Sequence, residues 1–532
     1  MTTFKTPEFP ERFNMARYFL SARLEEGLGE KIALYSDDGN CSYAQIDRMS
    51  NQVAHALAER GVRQEERVLI ILPDRIEFAA AWFGILKVGA VFAMVNPLVT
   101  TEDFDHYFEY TKARVAFLDA SVADKLQPAL QRARYLKHAI FVGGSAPANV
   151  NVNANIKVES WSGAIATSSA SEIMADTHRE DVAAWLFTSG STGKPKAAVH
   201  RHVDFSFSSE CYAKQTLGIR RDDRTLAVSK LFFGYATGVN LMFPFAVGAS
   251  AVLFQERSTP ETMFQRIQQF KPTILCSVPT SIAGMLAIES KSRKDIESLR
   301  LLTSAGEALP AELYRRWFER FGIEILDGIG SAEMFHVYIS NRPGRVRPGT
   351  LGEAVPGYKT RIVGPDGQES PAGEPGYLWV SGESQSLGYF QDIAKSRQVF
   401  QGEWCVSGDM FRKDKDGFFV YEGRGDDMLK VSGIWVSPIE IENCLLKHPA
   451  VAECCVVGTA DKDNLIKPRA FIVLRDGHKP GDAIINELRA HAKANMAPYK
   501  YPRWFEFLDV IPRGDRGKAD RKVLKALPVA NS

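Results

Sequence analysis

At 532 residues the chain exceeds the ~250–300 at which a single core stops growing, so at least two domains are expected. With 45% apolar and 24% charged residues it has the balance of a soluble globular protein, and a net charge of +1 gives nucleic acid or an anionic membrane no reason to bind. Seven cysteines without a C-x-x-C pair suggest neither zinc nor a disulfide framework, and reduced thiols fit a cytoplasmic protein. The start, Met1-Thr2-Thr3-Phe4-Lys5, carries no apolar signal core. The longest nearly apolar stretch, Phe243 to Phe254, is too short for a membrane-spanning helix and reads as core.

The N-terminal third alternates two periods. Ser42 to Arg60 places Ile46, Met49, Val53 and Leu57 at helical spacing, and Val68 to Leu72 follows as a buried strand. Helix at Glu77 to Val88, strand at Ala90 to Val95, helix at Thr101 to Thr111 and strand at Val115 to Leu118 continue the α/β pattern. Ala183 to Phe187 and Ala197 to Val199 read as strands around the polar run Thr188-Ser189-Gly190-Ser191-Thr192-Gly193-Lys194-Pro195-Lys196. Two glycines let backbone N–H groups face an anion, four hydroxyls can donate, and Lys194 and Lys196 add charge, so the ligand expected there is a polyphosphate. Spacing separates this loop from a Walker A motif: two residues lie between Gly190 and Gly193, and Pro195 follows Lys194. His200 and His202, without carboxylate or cysteine partners at ligand spacing, read as structural.

Further strands are expected at Thr225 to Val228, Ala251 to Phe254, Thr273 to Ser277, Leu299 to Ser304 and Glu324 to Leu326, with helices between them. Ligands of such sheets sit at the carboxyl ends of strands. Ser304-Ala305-Gly306-Glu307 and Asp327-Gly328-Ile329-Gly330 are expected as loops at those ends. From about Gly352, short strands and turns predict a β-rich subdomain. Beyond it an α+β segment carries helices at Pro438 to Lys447, Asp482 to Ala494 and Asp520 to Ala526 and strands near Val451 to Val457 and Arg469 to Leu474. The fold class is therefore α/β: a large N-terminal domain of α/β layers with a β-rich subdomain (1–425), then a small, mobile α+β C-terminal domain (426–532).

Five motifs in order resemble the adenylate-forming enzymes, the family of acyl- and aryl-CoA synthetases, peptide-synthetase adenylation domains and beetle luciferases. They are Thr188 to Lys196, Gly328-Ile329-Gly330-Ser331-Ala332-Glu333, Ser407-Gly408-Asp409, Gly423-Arg424-Gly425-Asp426-Asp427 and Pro512 to Lys518. The resemblance implies ATP, CoA and Mg²⁺. It makes Glu333 the magnesium ligand, Lys518 the lysine bridging carboxylate and α-phosphate, and Asp426 the hinge. It adds Gly306, Glu307, Asp327, Gly328, Ile329, Asp409 and Arg424 to the ATP site, and Lys430 and Gly433 to a pantetheine tunnel. The residue types suit the chemistry: Glu333 is a hard oxygen ligand, and Asp409 has two oxygens for the ribose hydroxyls with Arg424 as a nearby donor. Where relatives usually have threonine before the glutamate, this chain has Ala332, so one hydroxyl near the α-phosphate is missing.

The acyl pocket implied by the resemblance draws on Gly234, Tyr235, Gly330, His336 and Val337. Aromatic walls with a glycine suit a flat, short acid, although an aromatic cluster also serves as plain core. Leu231 to Tyr235 and Asp327 to Asn341 look like benzoate-CoA ligases. The expected reaction is benzoate, ATP and CoA to benzoyl-CoA, AMP and diphosphate through benzoyl-adenylate, with a homodimer compatible. Alternatives are a ligase for another substituted benzoate or a short or medium-chain acid, a luciferase-like oxygenase, and a non-enzymatic nucleotide sensor. A peptide-synthetase domain would carry an aspartate near Gly234-Tyr235, and none is present.

Overall fold

The computed structural model describes residues 4–144, 152–189, 194–431, 434–461, 465–513 and 519–528. Two largely parallel sheets form the N-terminal domain. The first has seven strands, with Arg67–Ile71 at its centre and Val182–Ser189 and Pro195–Arg201 at one edge. All its pairings are parallel except the last, an antiparallel hairpin that registers Thr188 with Lys196 and Ser189 with Pro195. The expected strand–loop–strand is thus the tip of an edge hairpin. Pro195, lacking an N–H, is tolerated on an edge strand.

The second sheet has nine strands, parallel from Ile32–Tyr35 through Ser250–Val252, Arg224–Ala227, Ile274–Ser277 and Leu301–Ser304 to Ile325–Gly330. Strand period two explains how the sheets share a core. Val68 and Ile70 join the large cluster that also holds Ile274, Cys276 and Leu301, whereas Leu69 and Ile71 turn to the outer cluster with Phe104 and Leu126. The helix Ile76–Lys87 is buried from Phe78 to Lys87, with Trp82 and Phe83 in the shared cluster. A helix apolar on all sides is what two covering layers require.

One expectation is corrected here. Asp327–Gly330 is not a loop: the strand runs on to Gly330 and changes partner, parallel to Leu301–Ser304 through Asp327, then antiparallel to Val337–Ser340 from Gly328. The glycines led to a turn reading, but their cause is close backbone approach. A Cβ on Gly328 would lie 2.8 Å from the Ile339 carbonyl oxygen, and one on Gly330 would overlap the His336 carbonyl.

The β-rich part is an antiparallel five-stranded sheet that includes Gly376–Ser381, Trp404–Lys413 and Phe419–Arg424. A one-turn 3₁₀ segment, Gly425–Asp427, leads from it into the small C-terminal domain. There Val451–Ala460, Ile466–Leu474 and Trp504–Phe507 form one sheet, packed with Pro438–Leu445 and Asp482–Asn495 around a core of its own. No helix among the described residues is long and apolar enough to cross a membrane.

Candidate active site

The strand Pro195–Arg201, the turn after the Ile325–Gly330 strand and the segment after Gly376–Ser381 meet at Tyr389. Of the phosphate loop, Gly190, Ser191, Thr192 and Gly193 lie outside the described residues; Thr188 is half-buried and Lys194 exposed on the flanks. Lys196, one turn of pleat away, places its Nζ 3.7 Å from the centroid of the Tyr389 ring. Burial lowers its pKa, while the nearby Glu333 carboxylate opposes that shift.

Glu333 sits in a 3₁₀ turn, Ala332–Met334, just after Gly330. Its Oε1 accepts a 2.6 Å hydrogen bond from the Tyr389 hydroxyl, and its carbonyl accepts from Ser386 N–H at 2.8 Å. Burial and the adjacent carboxylate hold the Tyr389 hydroxyl well above its ordinary pKa, so it remains a donor. Among the described residues Glu333 Oε2 takes no hydrogen bond, which leaves one carboxylate oxygen for a hard cation that keeps most of its shell as water and phosphate. The donor set therefore fits Mg²⁺. Ala332, in place of a threonine, offers its carbonyl to His200 Nε2 at 2.7 Å, while His200 Nδ1 pairs with Asp204 Oδ2 at 2.9 Å. His200 is wholly buried and structural, as is His202, whose Nδ1 accepts from Met15 N–H.

Between Glu333 and His336 the chain passes through Phe335 at φ 65°, a left-handed conformation unusual for an aromatic residue. Its ring lies against Phe205, centroids 3.8 Å apart. His336 is buried among Tyr212, Tyr235 and Phe243, with ring centroids 4.6–5.5 Å away. Its Nε2–H donates to the Tyr235 carbonyl at 3.1 Å, while Nδ1 has no partner among the described residues. Burial depresses its pKa to about 4, so the ring is neutral at physiological pH. Tyr235 follows Gly234 in a short helix, and its hydroxyl donates to Thr303 Oγ1 at 3.0 Å. Gly238, which the sequence did not single out, is required because a Cβ there would overlap the imidazole of His336. Val337 is buried opposite Gly330 in the hairpin register.

A separate cavity is lined by Ala308, Leu309, Asp327, Gly349, Thr350, Leu351 and Tyr421, and by Ile439 and Asn443 of the C-terminal domain. Asp327 is buried there; desolvation raises its pKa to about 8, so it is mostly protonated at pH 7. Its Oδ2 accepts from Leu309 N–H, and its Oδ1 has no partner among the described residues. Tyr421 links this cavity to Asp409: its hydroxyl donates to Asp409 Oδ1 at 3.3 Å, and Arg424 Nε lies 3.8 Å from the same oxygen. Gly306 has φ 90°, and nothing lies within 4 Å of the position a Cβ would take. Glu307 accepts from Thr280 Oγ1, which also receives Arg513 Nη1 at 3.4 Å.

Lys196, Tyr389 and Glu333 are thus brought together, His336 follows three residues after Glu333, and Asp409 is joined through Tyr421 to the cavity that Asp327 lines. Lys518 and Gly433 lie outside the described residues, Lys430 lies in the strand Leu429–Val431, and Asp426 in the 3₁₀ turn. Tyr389 and Tyr421 went unread, because each reaches the site from the five-stranded sheet region, more than fifty residues from its partner in Tyr389's case. No local spacing signals such contacts.

The AMP-binding enzyme family model matches residues 22–390, and the model of its C-terminal domain matches residues 440–518. The chain belongs to the AMP-binding enzyme family. It is 42% identical to the benzoate–CoA ligase of Thauera aromatica over 98% of this chain and 97% of that one. To the 4-hydroxybenzoate–CoA/benzoate–CoA ligase of Rhodopseudomonas palustris it is 38% identical, over 97% and 94%. Among solved structures, an anthranilate CoA ligase in complex with anthranoyl-AMP matches with a TM-score of 0.91 at 38% identity, covering 98% of both chains. A benzoate CoA ligase from Burkholderia xenovorans LB400 matches with 0.87 at 37%, covering 96% of this chain and all of that one. The enzyme is an ATP-using, adenylate-forming ligase with the family's α/β architecture.

Proposed function

We propose that this enzyme is a benzoate-CoA ligase working in two half-reactions. A benzoate oxygen attacks the α-phosphorus of ATP and diphosphate leaves; the CoA thiol then attacks the acyl carbon, loses its proton, and AMP leaves. The observation that supports the aromatic reading is the cluster around His336: three aromatic rings, a neutral imidazole and Gly238 packed against it are residue types that suit a flat, short acid rather than a long chain. The names of the most similar relatives, ligases of benzoate, hydroxybenzoate and anthranilate, support the same class.

In this reading the hydroxyls and glycines of Thr188 to Lys194 hold the leaving diphosphate, with Lys196 nearby. Adenine lies on the side of Asp327 and Tyr421, with Gly306 in the loop after the Leu301–Ser304 strand, and Asp409, flanked by Arg424, takes the ribose hydroxyls. Glu333 would hold Mg²⁺, whose charge offsets that of the phosphates as diphosphate departs. Lys518 lies across the carboxylate during adenylation. A lysine there obstructs the thiol, so the C-terminal domain turns about Asp426 and the Lys430 to Gly433 region comes to line the thiol's path. Free cysteines, six of the seven buried, suit a reducing cytoplasm.

The test is ATP–diphosphate exchange across benzoate, hydroxy-, amino- and halobenzoates and short fatty acids. Benzoate or a close ring analogue is expected to give the highest kcat/KM. Fastest exchange with a fatty acid would refute the aromatic assignment.

A further inference from the structure

Two charged groups that the proposed chemistry needs free for the phosphates, Lys196 and Glu333, stand on the same tyrosine. Tyr389 has 7% of its surface exposed and is fixed on several sides: its N–H donates to Ser396 Oγ at 2.9 Å, its backbone bridges to Ala198, and its ring packs on Phe400 at 5.4 Å. The adjoining segment is tied to the phosphate-loop hairpin by Leu387 N–H to the Val199 carbonyl and Val199 N–H to the Gly388 carbonyl. Against this rigid ring Lys196 lies face-on at 3.7 Å, and Glu333 is hydrogen-bonded to the hydroxyl at the ring's far end. Among the described residues Lys196 and Glu333 make no ion pair with each other within 4.0 Å.

We infer that Tyr389 is a positioning residue that keeps Lys196 and Glu333 from neutralising each other. The inference rests on the reading of Glu333 as the carboxylate facing Mg²⁺. A lysine and a glutamate on neighbouring elements of a partly desolvated site attract strongly, and a direct pair would occupy the carboxylate and cancel the ammonium. The tyrosine gives each a weaker, geometrically separate substitute. The ring face attracts the cation, and the single O–H takes only one of the two carboxylate oxygens. Glu333 keeps Oε2 for the metal, and Lys196 keeps its N–H donors for phosphate. The arrangement is preorganised before substrate arrives, since neither side chain has to leave a salt bridge for nucleotide to enter.

The experiment measures Mn²⁺ retained by the full-length protein with saturating α,β-methylene-ATP, read by electron paramagnetic resonance, with melting curves to verify folding. Y389F frees the Glu333 carboxylate to pair with Lys196 and is expected to weaken Mn²⁺ retention about 10-fold through that capture. Y389L removes the ring as well and is expected to lose at least as much. The deciding comparison is the same Leu substitution in a K196M background, where no ammonium is present to capture Glu333 and the loss is expected to shrink below about 3-fold. A packing role alone predicts equal losses in both backgrounds and would overturn the inference, as would unchanged retention in Y389F. An E333Q protein that retains Mn²⁺ like the wild type would overturn the Glu333 assignment and this inference with it. Loss in E333Q without loss in the Tyr389 variants overturns this inference alone.

Discussion

His336 shows how a single buried side chain sets a pH response. With its pKa depressed to about 4 it is neutral across the working range, so the KM for benzoate should stay flat from pH 6 to 8. The sign for stability follows: between about pH 4 and the unfolded value of 6.5 the unfolded chain binds the proton and the folded one does not. Stability is therefore full above pH 6.5 and falls as pH drops towards 4, by up to a few kcal/mol. His202, depressed to about 4 by the same burial, adds to that loss, and urea denaturation at pH 7 and pH 5 should show the drop. Asp327 has the opposite sense. Its raised pKa, about 8, favours the folded state at low pH, a contribution lost as pH rises from the ordinary carboxyl value near 4 through 8, so Asp327→Asn should flatten stability between about pH 4 and 8. Gly238→Ala would press a methyl into the imidazole and should cost about 1–3 kcal/mol along with a raised KM for benzoate. Glu333 and Asp409 could be singled out from the sequence because each belongs to a short motif of consecutive residues, and the structure sets Glu333 beside Tyr389 and Asp409 beside Arg424. Gly238, Tyr389 and Tyr421 could not: Gly238 and Tyr389 act on residues distant in the chain, Tyr421 reaches Asp409 across a strand pair whose register no motif announces, and a lone glycine or tyrosine carries no local sign of its partner.

Helices and buried strands were read well wherever one period persisted. The expected helix at Thr101 to Thr111 is the observed one, and Ser42 to Arg60 differs from Tyr43–Glu59 only at the ends, where Ser42 forms a capping box with Gln45. The Ile325–Gly330 strand was read short because its glycines serve the crossing hairpin rather than a turn. Gly330→Ala should therefore damage the hairpin that carries both Glu333 and His336, and thermal denaturation should register a loss of 1–3 kcal/mol. In the C-terminal domain, Arg469 is fully buried, doubly bonded to Glu506 and donating to the Leu527 and Pro528 carbonyls. It ties the last helix, Arg521–Ala526, to the central strand of its sheet. Arg469→Ala removes a fully buried guanidinium together with its bonds to Glu506 and to the Leu527 and Pro528 carbonyls and should destabilise this domain by about 3–5 kcal/mol, seen as faster hydrogen exchange confined to the last hundred residues.

At the scale of the whole molecule, the proposed function makes the two-layer N-terminal domain a fixed floor for ATP and acid and assigns to the small domain what changes between half-reactions. The two domains meet through Ser437, whose hydroxyl donates to the Glu422 carbonyl, through Ile439 and Asn443 at the cavity beside Tyr421, and through Arg513 on Thr280. Lys518→Ala should slow adenylation by ~10²–10³ while sparing thioester formation from preformed benzoyl-adenylate, because the lysine acts in the first step alone. Equal losses in both half-reactions would count against the rotation. The overall class, a large α/β domain followed by a small α+β one, was visible from alternating periods and the change of texture near Gly352; the merging of the strands into two sheets with a shared core was not, since pairing between distant strands leaves no local pattern.

The most direct test of the account is the product balance of a reaction containing only this protein, benzoate, ATP, Mg²⁺ and CoA, resolved by liquid chromatography and mass spectrometry. Benzoyl-CoA, AMP and diphosphate formed in equal amounts, with no ADP, is the predicted result; ADP and phosphate as the nucleotide products, or no thioester from any aromatic acid, would contradict it.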